Sequence, residues 1–452
     1  MIANERKSIL SLAMLYATRM LGLFMVLPVF VLYGSDLEGA TPALIGLAIG
    51  AYGLSQALLQ IPFGALSDRY GRKLMLYIGL SIFFTGSVIA ATSESIYGVI
   101  AGRFIQGAGA IAAVIMALLS DLTSVESRTK AMAFVGMSIG MSFTLALILG
   151  PIVAEFGGLK AIFWLTAALA LFALFWSMLA IPKPRVRTKH RDSRVFSDQI
   201  RDVLKDRELL RLDFGIFVLH LVLTAMFIAI PVSLVNHAGL PSEDHWWLYL
   251  LVLVGSFFCM VPLIIVGEKM QKMKVIFCLA ITMLLIAAAL MVSVQADLSW
   301  FVVGLFVFFM GFNLLEASLP SLVSKISPAG SKGTAMGVYS TGQFLGAFLG
   351  GVLGGGLLEL FSETAIYLFA VALIGAWLLI ALTMANPKHE KTMTIFFRSN
   401  LQEQEVDWLS DQLVRVEGVE DAVVVSDGVA YLKVLSGRLD EQALQQLKHQ
   451  YS

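Results

Sequence analysis

Twelve long apolar runs, each separated from the next by a short polar stretch, dominate this chain and restrict it to one solvent. They occupy roughly 9–33, 43–63, 74–93, 98–120, 131–154, 161–181, 212–235, 246–266, 275–294, 298–322, 334–358 and 364–385. A helix needs about 20 apolar residues to cross the hydrocarbon core, and every run approaches or exceeds that length. A soluble fold cannot hide so much, since 58% of the residues are hydrophobic and 14% are charged. Lipid is therefore the solvent. The runs lack the alternation over about ten residues that a membrane β-strand requires, so helices, which satisfy their own backbone groups, are the expected elements.

The charges between runs set direction. Arg69, Arg72 and Lys73 follow the second run, Arg128 and Lys130 the fourth, Lys269, Lys272 and Lys274 the eighth, and Lys325 and Lys332 the tenth. The intervening loops carry Asp36, Glu38, Glu94, Glu243, Asp244, Asp297, Glu359 and Glu363, with Lys160 as the exception. The positive-inside rule then puts both termini in the cytoplasm, and Trp246, Trp247 and Trp300 fall at outer ends as interfacial anchors. The first run follows Arg6 and Lys7 but is too long for a signal peptide and lacks a small-residue cleavage site, so it reads as a retained span. With 32 basic and 32 acidic residues, no excess of cations points to nucleic acid as a partner. Cys259 and Cys278 lie in or beside apolar runs and suggest neither a disulfide framework nor a metal site.

The longest polar stretch between runs, 183–211, divides the chain into two six-span halves, 1–182 and 212–386, and a soluble tail follows at 387–452. Within that linker Val195, Phe196, Ile200, Val203 and Leu204 recur at helical spacing beside many cations. They suit an amphipathic helix on anionic membrane lipids, and equally a solvated tether. Ser127 to Gly136 (SRTKAMAFVG) echoes Ser331 to Ser340 (SKGTAMGVYS), each leading into a span, the fifth and the eleventh. Related halves of this kind place a pathway between them. In the tail, Thr392 to Phe397 reads as a strand, Glu403 to Arg415 as a helix, Val419 to Val425 and Val429 to Leu435 as a hairpin around Ser426-Asp427-Gly428, and Asp440 to Lys448 as a helix. This βαββα order resembles the ferredoxin-like sandwich of heavy-metal-associated domains. The loop Arg398-Ser-Asn-Leu has no Cys pair, so no metal is expected. The expected fold class is an all-α membrane bundle with a small α+β ferredoxin-like cytoplasmic domain.

The loop after the second run reads Gly64-Ala-Leu-Ser-Asp68-Arg69-Tyr-Gly71-Arg72-Lys73. Gly64 allows close helix approach, Gly71 a tight turn, and the cations stay on the cytoplasmic side. The segment resembles the major facilitator signature G-x-x-x-D-R-x-G-R-K in every characteristic position. That resemblance implies a twelve-helix major facilitator transporter without cofactor, working by alternating access. It implies that Asp68 meets the start of the eleventh span at Gly333 and Thr334 to Met336, and that Arg72 pairs with Asp121 at the inner end of the fourth. Breaking this cluster would favour the inward-open state. In the fourth span Arg103-Phe-Ile-Gln106-Gly107-Ala-Gly109-Ala resembles the family's R-x-x-Q-G-x-G-A pattern, associated with proton coupling. An arginine inside a span needs a cavity or a partner, or else a short path along which to snorkel, and Arg103 lies near the outer end. Gly140, Gly150 and Pro151 in the fifth span look like the family's antiporter motif, where a pliable helix borders the other half. Here Ile152 to Phe156 separate Pro151 from the next glycine pair, a departure from the usual pattern. Antiport is favoured over symport, while ordinary small-residue packing explains the same glycines.

Four further polar residues interrupt apolar runs: Arg19, His220, Asn313 and Glu316. Asn313 and Glu316 stand three apart, on one helix face. Glu316 is the candidate proton carrier, because a lipid-facing charge would be expelled whereas one facing a lumen is retained. Arg19 would attract an anionic group or hold Glu316 ionised, and His220 reads as a hydrogen-bonded packing residue or a proton carrier. No G-x-x-x-x-G-K-[ST] pattern supplies ATP binding, and no nucleophile, base and orienting group stand at credible spacing for an enzyme. The expectation is a monomeric, proton-driven exporter of an unidentified small molecule in a bacterial inner membrane. A proton-independent facilitator and a receptor signalling through the tail are the alternatives.

Overall fold

The structure, a computed structural model, describes residues 3–123, 125–182, 200–270, 272–327, 332–386, 390–397, 401–424, 428–435 and 439–450. Its N-terminal helices are α1 (Ala3–Phe24), α2 (Phe30–Tyr33), α3 (Pro42–Tyr70), α4 (Arg72–Thr92), α5 (Ile96–Ala108), α6 (Ala112–Asp121) and α7 (Val125–Ala180). The C-terminal group is α8 (Arg207–Asn236), α9 (His245–Lys269), α10 (Met273–Ser293), α11 (Leu298–Ile326), α12 (Lys332–Leu360) and α13 (Glu363–Leu382). Among the described residues ten stretches are long and apolar enough to cross a membrane. One of them, Lys130–Ala180, is broken at Gly157 and Gly158, where φ of +60° at Gly158 stops regular helix.

Polar caps mark where several runs meet water. Asp206 accepts the first-turn N–H groups of Glu208 and Leu209 at 2.8 and 3.2 Å, and Asp297 those of Ser299 and Trp300 at 3.0 and 3.2 Å. Two apolar runs expected as single helices are interrupted. The run at 98–120 breaks between Ala108 and Ala112, where Gly109 lies so close to α4 that an added Cβ would meet the Phe83 nitrogen at 3.2 Å. The first run breaks after Phe24, beside Pro28, which has no N–H to continue the ladder.

Helix α12 is wedged between α8 and α3. Added Cβ atoms at Gly346, Gly350 and Gly354 would fall under 3.0 Å from the α8 backbone at Phe217, Leu221 and Ala225. At Gly351 and Gly355 they would fall under 3.0 Å from the α3 segment at Gly46 and Pro42. These glycines stand four apart within each set, so each set lines one face and lets backbones touch on both sides. Gly50 and Gly53 of α3 complete the seam, with the carbonyls of Phe348 and Phe344 at 2.6 and 2.7 Å from the Cβ each lacks. This contact occupies the ends of α3 and α12 remote from the Gly64–Lys73 loop.

In the tail, β1 (Glu390–Phe396), α14 (Glu403–Val414), β2 (Val419–Val424), β3 (Val429–Leu435) and α15 (Glu441–Gln450) form an antiparallel sheet of order β1-β3-β2 with two helices. Ala430, Leu432 and Val434 alternate into a core with Leu409, Leu413 and Leu444. Lys433 points the other way, and its Nζ donates to the carbonyl of Ile326, the last residue of α11, at 2.8 Å. Expected features at Val195 and Phe196, at Ser426 and Asp427, at Arg398 and at Ser331 lie outside the described residues. Residues 200–205 are helical, with Val203 buried and Leu204 exposed.

Candidate functional site

At the motif end Gly71 closes α3 through its N–H to the Ser67 carbonyl (3.1 Å) and turns directly into α4. Its φ of +104° disfavours any side chain, although an added Cβ would meet nothing within 4 Å. Arg72, first residue of α4, gathers the motif: its guanidinium pairs with Asp68, donates to Ser67 Oγ at 2.7 Å and reaches Asp121 Oδ2 at 3.3 Å. Lys73 donates to the Ile181 carbonyl (2.7 Å), and Arg69 lies 5.4 Å from the Tyr70 ring centroid. The cluster is thus internal to the N-terminal helices. Among the described residues Asp68 pairs with Arg72 and with no side chain of α12, so the expected meeting with Gly333, Thr334 and Met336 is not formed in this conformation. The reason is divergence: α3 and α12 touch at their far ends, while an added Cβ at Gly333 or Gly337 would meet nothing within 4 Å. At Gly64 an added Cβ would meet only Ala113 Cβ, at an ordinary 3.6 Å, so a side chain fits there.

A Cβ added at Gly140 would meet nothing within 4 Å, whereas one added at Gly150, beside Pro151, would fall 2.5 Å from the Met25 carbonyl oxygen and 2.9 Å from Pro28 of the turn after α1. Gly150 thus packs within its own helix group, while Phe143 of the same helix stacks on Phe312 of α11, so this segment also borders the C-terminal group.

Two arginines are buried at the centre of the N-terminal group. Arg19 is 1% exposed; its Nη2 donates to the Tyr52 hydroxyl and, at 2.9 Å, to Gln56 Oε1. Arg103 is 2% exposed, so it does not snorkel to water. It donates to Gln106 Oε1 at 3.0 Å and to the α3 carbonyls of Ala48 and Ile49 at 3.4 and 3.5 Å, while Gln106 donates to Ser87 Oγ at 2.8 Å. Both guanidiniums flank Tyr52, at 5.9 and 5.2 Å from its ring centroid. Among the described residues neither has a carboxylate partner; carbonyls, amides and a π face hold them instead. Arg19 does not reach Glu316.

The C-terminal group supplies the acid. Glu316 on α11 keeps 38% of its side chain accessible, with His220 Nε2 of α8 3.8 Å from Oε2. The Gln343 amide of α12 donates to His220 Nε2 at 2.8 Å and to Glu316 Oε1 at 3.4 Å, joining three helices. Asn313 turns elsewhere, donating to Ser256 Oγ of α9 at 3.3 Å. Residues three apart on a helix diverge by about 60°, enough for the pair to face separate neighbours. Phe312 lies between these residues and the N-terminal helices, stacked on Phe143 with centroids 5.7 Å apart. Tyr52, Gln56 and Gln343 went unnoticed in the sequence, although Tyr52 and Gln56 stand one turn apart inside an apolar run.

A model of the Major Facilitator Superfamily matches residues 12–351. The chain is 44% identical over 451 residues to the inner membrane transport protein YajR of Escherichia coli (strain K12), covering 99% of both chains. Among solved structures it resembles the nucleoside transporter NupG (TM-score 0.67, 13% identity, covering 83% of this chain and 98% of that one). It also resembles a D-xylose-proton symporter (TM-score 0.65, 17% identity, covering 85% and 98%). These relatives are transporters rather than enzymes, and with a family model spanning three quarters of its length the chain belongs to the Major Facilitator Superfamily.

Proposed function

We propose that this protein is a secondary active transporter that exports an unidentified small molecule in exchange for protons, by alternating access. In this reading α1 with α2 forms a first span, α5 with α6 a fourth, and the two arms of α7 a fifth and sixth, giving twelve spans in two halves. The motif face is cytoplasmic, both termini with it, the membrane is the bacterial inner membrane, and the tail is a ferredoxin-like domain. The Asp68–Arg72–Asp121 cluster acts as the conformational switch.

One observation carries the coupling: Glu316 sits mid-helix within a membrane-spanning stretch, partly accessible, with an imidazole and an amide as its neighbours and, among the described residues, no Lys or Arg bonded to it. A carboxyl retained there is a candidate proton carrier. Across Phe312 the N-terminal group offers buried cations instead, so the two sides of the pathway differ in charge. The transporter names of YajR and of the structural neighbours support membrane transport and leave the cargo open.

The test begins with a thermal-shift screen of purified protein against metabolites and drugs, because a ligand that favours the folded state raises the melting point. A hit is then followed in proteoliposomes under an imposed pH gradient. Gradient-driven flux should be lost in Glu316→Gln and in Arg103→Gln. Undiminished gradient-driven flux in Glu316→Gln would remove this residue from coupling, and parent flux indifferent to the gradient would favour the facilitator reading.

A further inference from the structure

Where α12 ends against the start of α3, a carboxylate from one helix group caps a helix of the other. Glu359 Oε2 accepts the backbone N–H of Ala43 at 2.8 Å, a bond between residues 316 apart in sequence. The first turn of α3 has few free donors, and each is accounted for. Pro42 has no N–H, Leu44 donates to the Thr41 hydroxyl at 3.3 Å, and Ile45 donates to the Thr41 carbonyl at 2.9 Å. Ala43 alone needs a partner from outside the helix, and Glu359 supplies it. The contact adds a charge to a favourable field, since the positive end of the α3 dipole faces a carboxylate. Directly beneath it Gly355 lies against Pro42, and Gly351 against Gly46, so the backbones already touch where the carboxylate bonds.

We propose that Glu359 is a latch holding the two helix groups together at the face opposite the Gly64–Lys73 motif. It opposes the Asp68–Arg72–Asp121 cluster at the other end. The motif cluster is bonded within the N-terminal group and spans no seam in this conformation, whereas the Glu359–Ala43 bond crosses the seam. Among the described residues the other close charged contacts at the latch face stay within one group: Lys160 with Glu94 at 2.7 Å, and the His237 imidazole with Glu363 at 3.9 Å. When the groups part at this face, Ala43 exchanges its carboxylate for water. The bond is therefore specific to the state closed at this face, and its loss shifts the balance towards the state open there. The proposal rests on the alternating-access reading above.

Pulsed electron resonance on spin-labelled protein in lipid nanodiscs tests it without any substrate. Cys259→Ser and Cys278→Ser clear the background. One label pair, at Ser35 and Phe361, spans the latch face; a second, at Lys130 and Lys269, spans the motif face, and all four positions are exposed. In Glu359→Ala the separated population at the latch face should grow about two- to five-fold, the range expected of a charge at a helix terminus, and the motif-face pair should shorten reciprocally. Glu359→Gln should fall between the two. Glu363→Gln, four residues on but paired within its own group, should match the parent. High salt should enlarge the separated population of the parent and leave Glu359→Ala where it is. Two populations in the parent with Glu359→Ala superimposable on them would overturn the latch. A single unchanging population at both faces in parent and variants would instead remove alternating access, and the latch with it.

Discussion

At the residue scale the unusual feature is a tyrosine serving two buried cations. The Tyr52 hydroxyl takes a hydrogen bond from Arg19, and its ring lies beside both Arg19 and Arg103. Tyr52→Phe keeps the ring under both guanidiniums and removes only the acceptor, leaving Arg19 Nη2 with Gln56 alone. Because a buried charged donor without its partner costs about 1–3 kcal/mol, the variant should unfold earlier in detergent by that much. Tyr52→Leu, which loses the ring as well, should cost more. An unfolding midpoint for Tyr52→Phe equal to the parent's would show that the hydroxyl does not hold Arg19. Arg19 and Arg103 themselves were legible in the sequence, because a charge in an apolar run is conspicuous whatever its surroundings. Gln106 came with the R-x-x-Q pattern, whereas Tyr52, Gln56 and the backbone carbonyls carry no such signal. The same limit explains Asp68. Its pairing with Arg72, four residues on, was not read from the sequence, which pointed to α12 instead.

At the element scale α12 concentrates the seam. Its glycines at 346, 350 and 354 press on α8, and those at 351 and 355 on α3, while Gly337 meets nothing. Alanine at these positions should therefore have opposite consequences. Gly351→Ala puts a methyl group under 3.0 Å from the Gly46 backbone, which cannot rotate away, so the helices must part. Overpacking of this kind costs about 1–3 kcal/mol, read as a lower melting point or as increased labelling of cysteines placed along the seam. Gly337→Ala should leave the melting point unchanged or raise it, because alanine is the better helix former by about 1 kcal/mol where nothing obstructs it. Equal behaviour of the two variants would contradict this packing. The four-residue glycine spacing was present in the sequence and was overlooked, whereas the helix breaks after Phe24 and Ala108 were hidden, because hydropathy does not register backbone direction. The tail's strands and helices fell close to their expected positions, since alternation and turn residues do report on backbone there.

At the scale of the whole molecule α3 and α12 join the two helix groups at the face opposite the Gly64–Lys73 motif, and the tail attaches to the end of α11. Its attachment uses the same helix-terminus physics as the Glu359 contact with the sign reversed. The negative end of α11 terminates at Ile326, and Lys433, on the sheet face turned away from the tail's own core, donates to that carbonyl. Lys433 is only 7% exposed, so the bond is shielded from competing water. Lys433→Ala should release the last turn of α11 while the tail keeps its apolar core of Leu409, Leu413, Ala430, Leu432 and Val434. A charge-assisted bond contributes about 1.5–3 kcal/mol, so amide exchange at 323–327 should accelerate roughly ten-fold or more, while the amides of β3 keep their protection. Acceleration throughout β3 would mean that Lys433 stabilises the tail itself. Unchanged exchange at 323–327 would mean that the tail and α11 are coupled by something other than this bond.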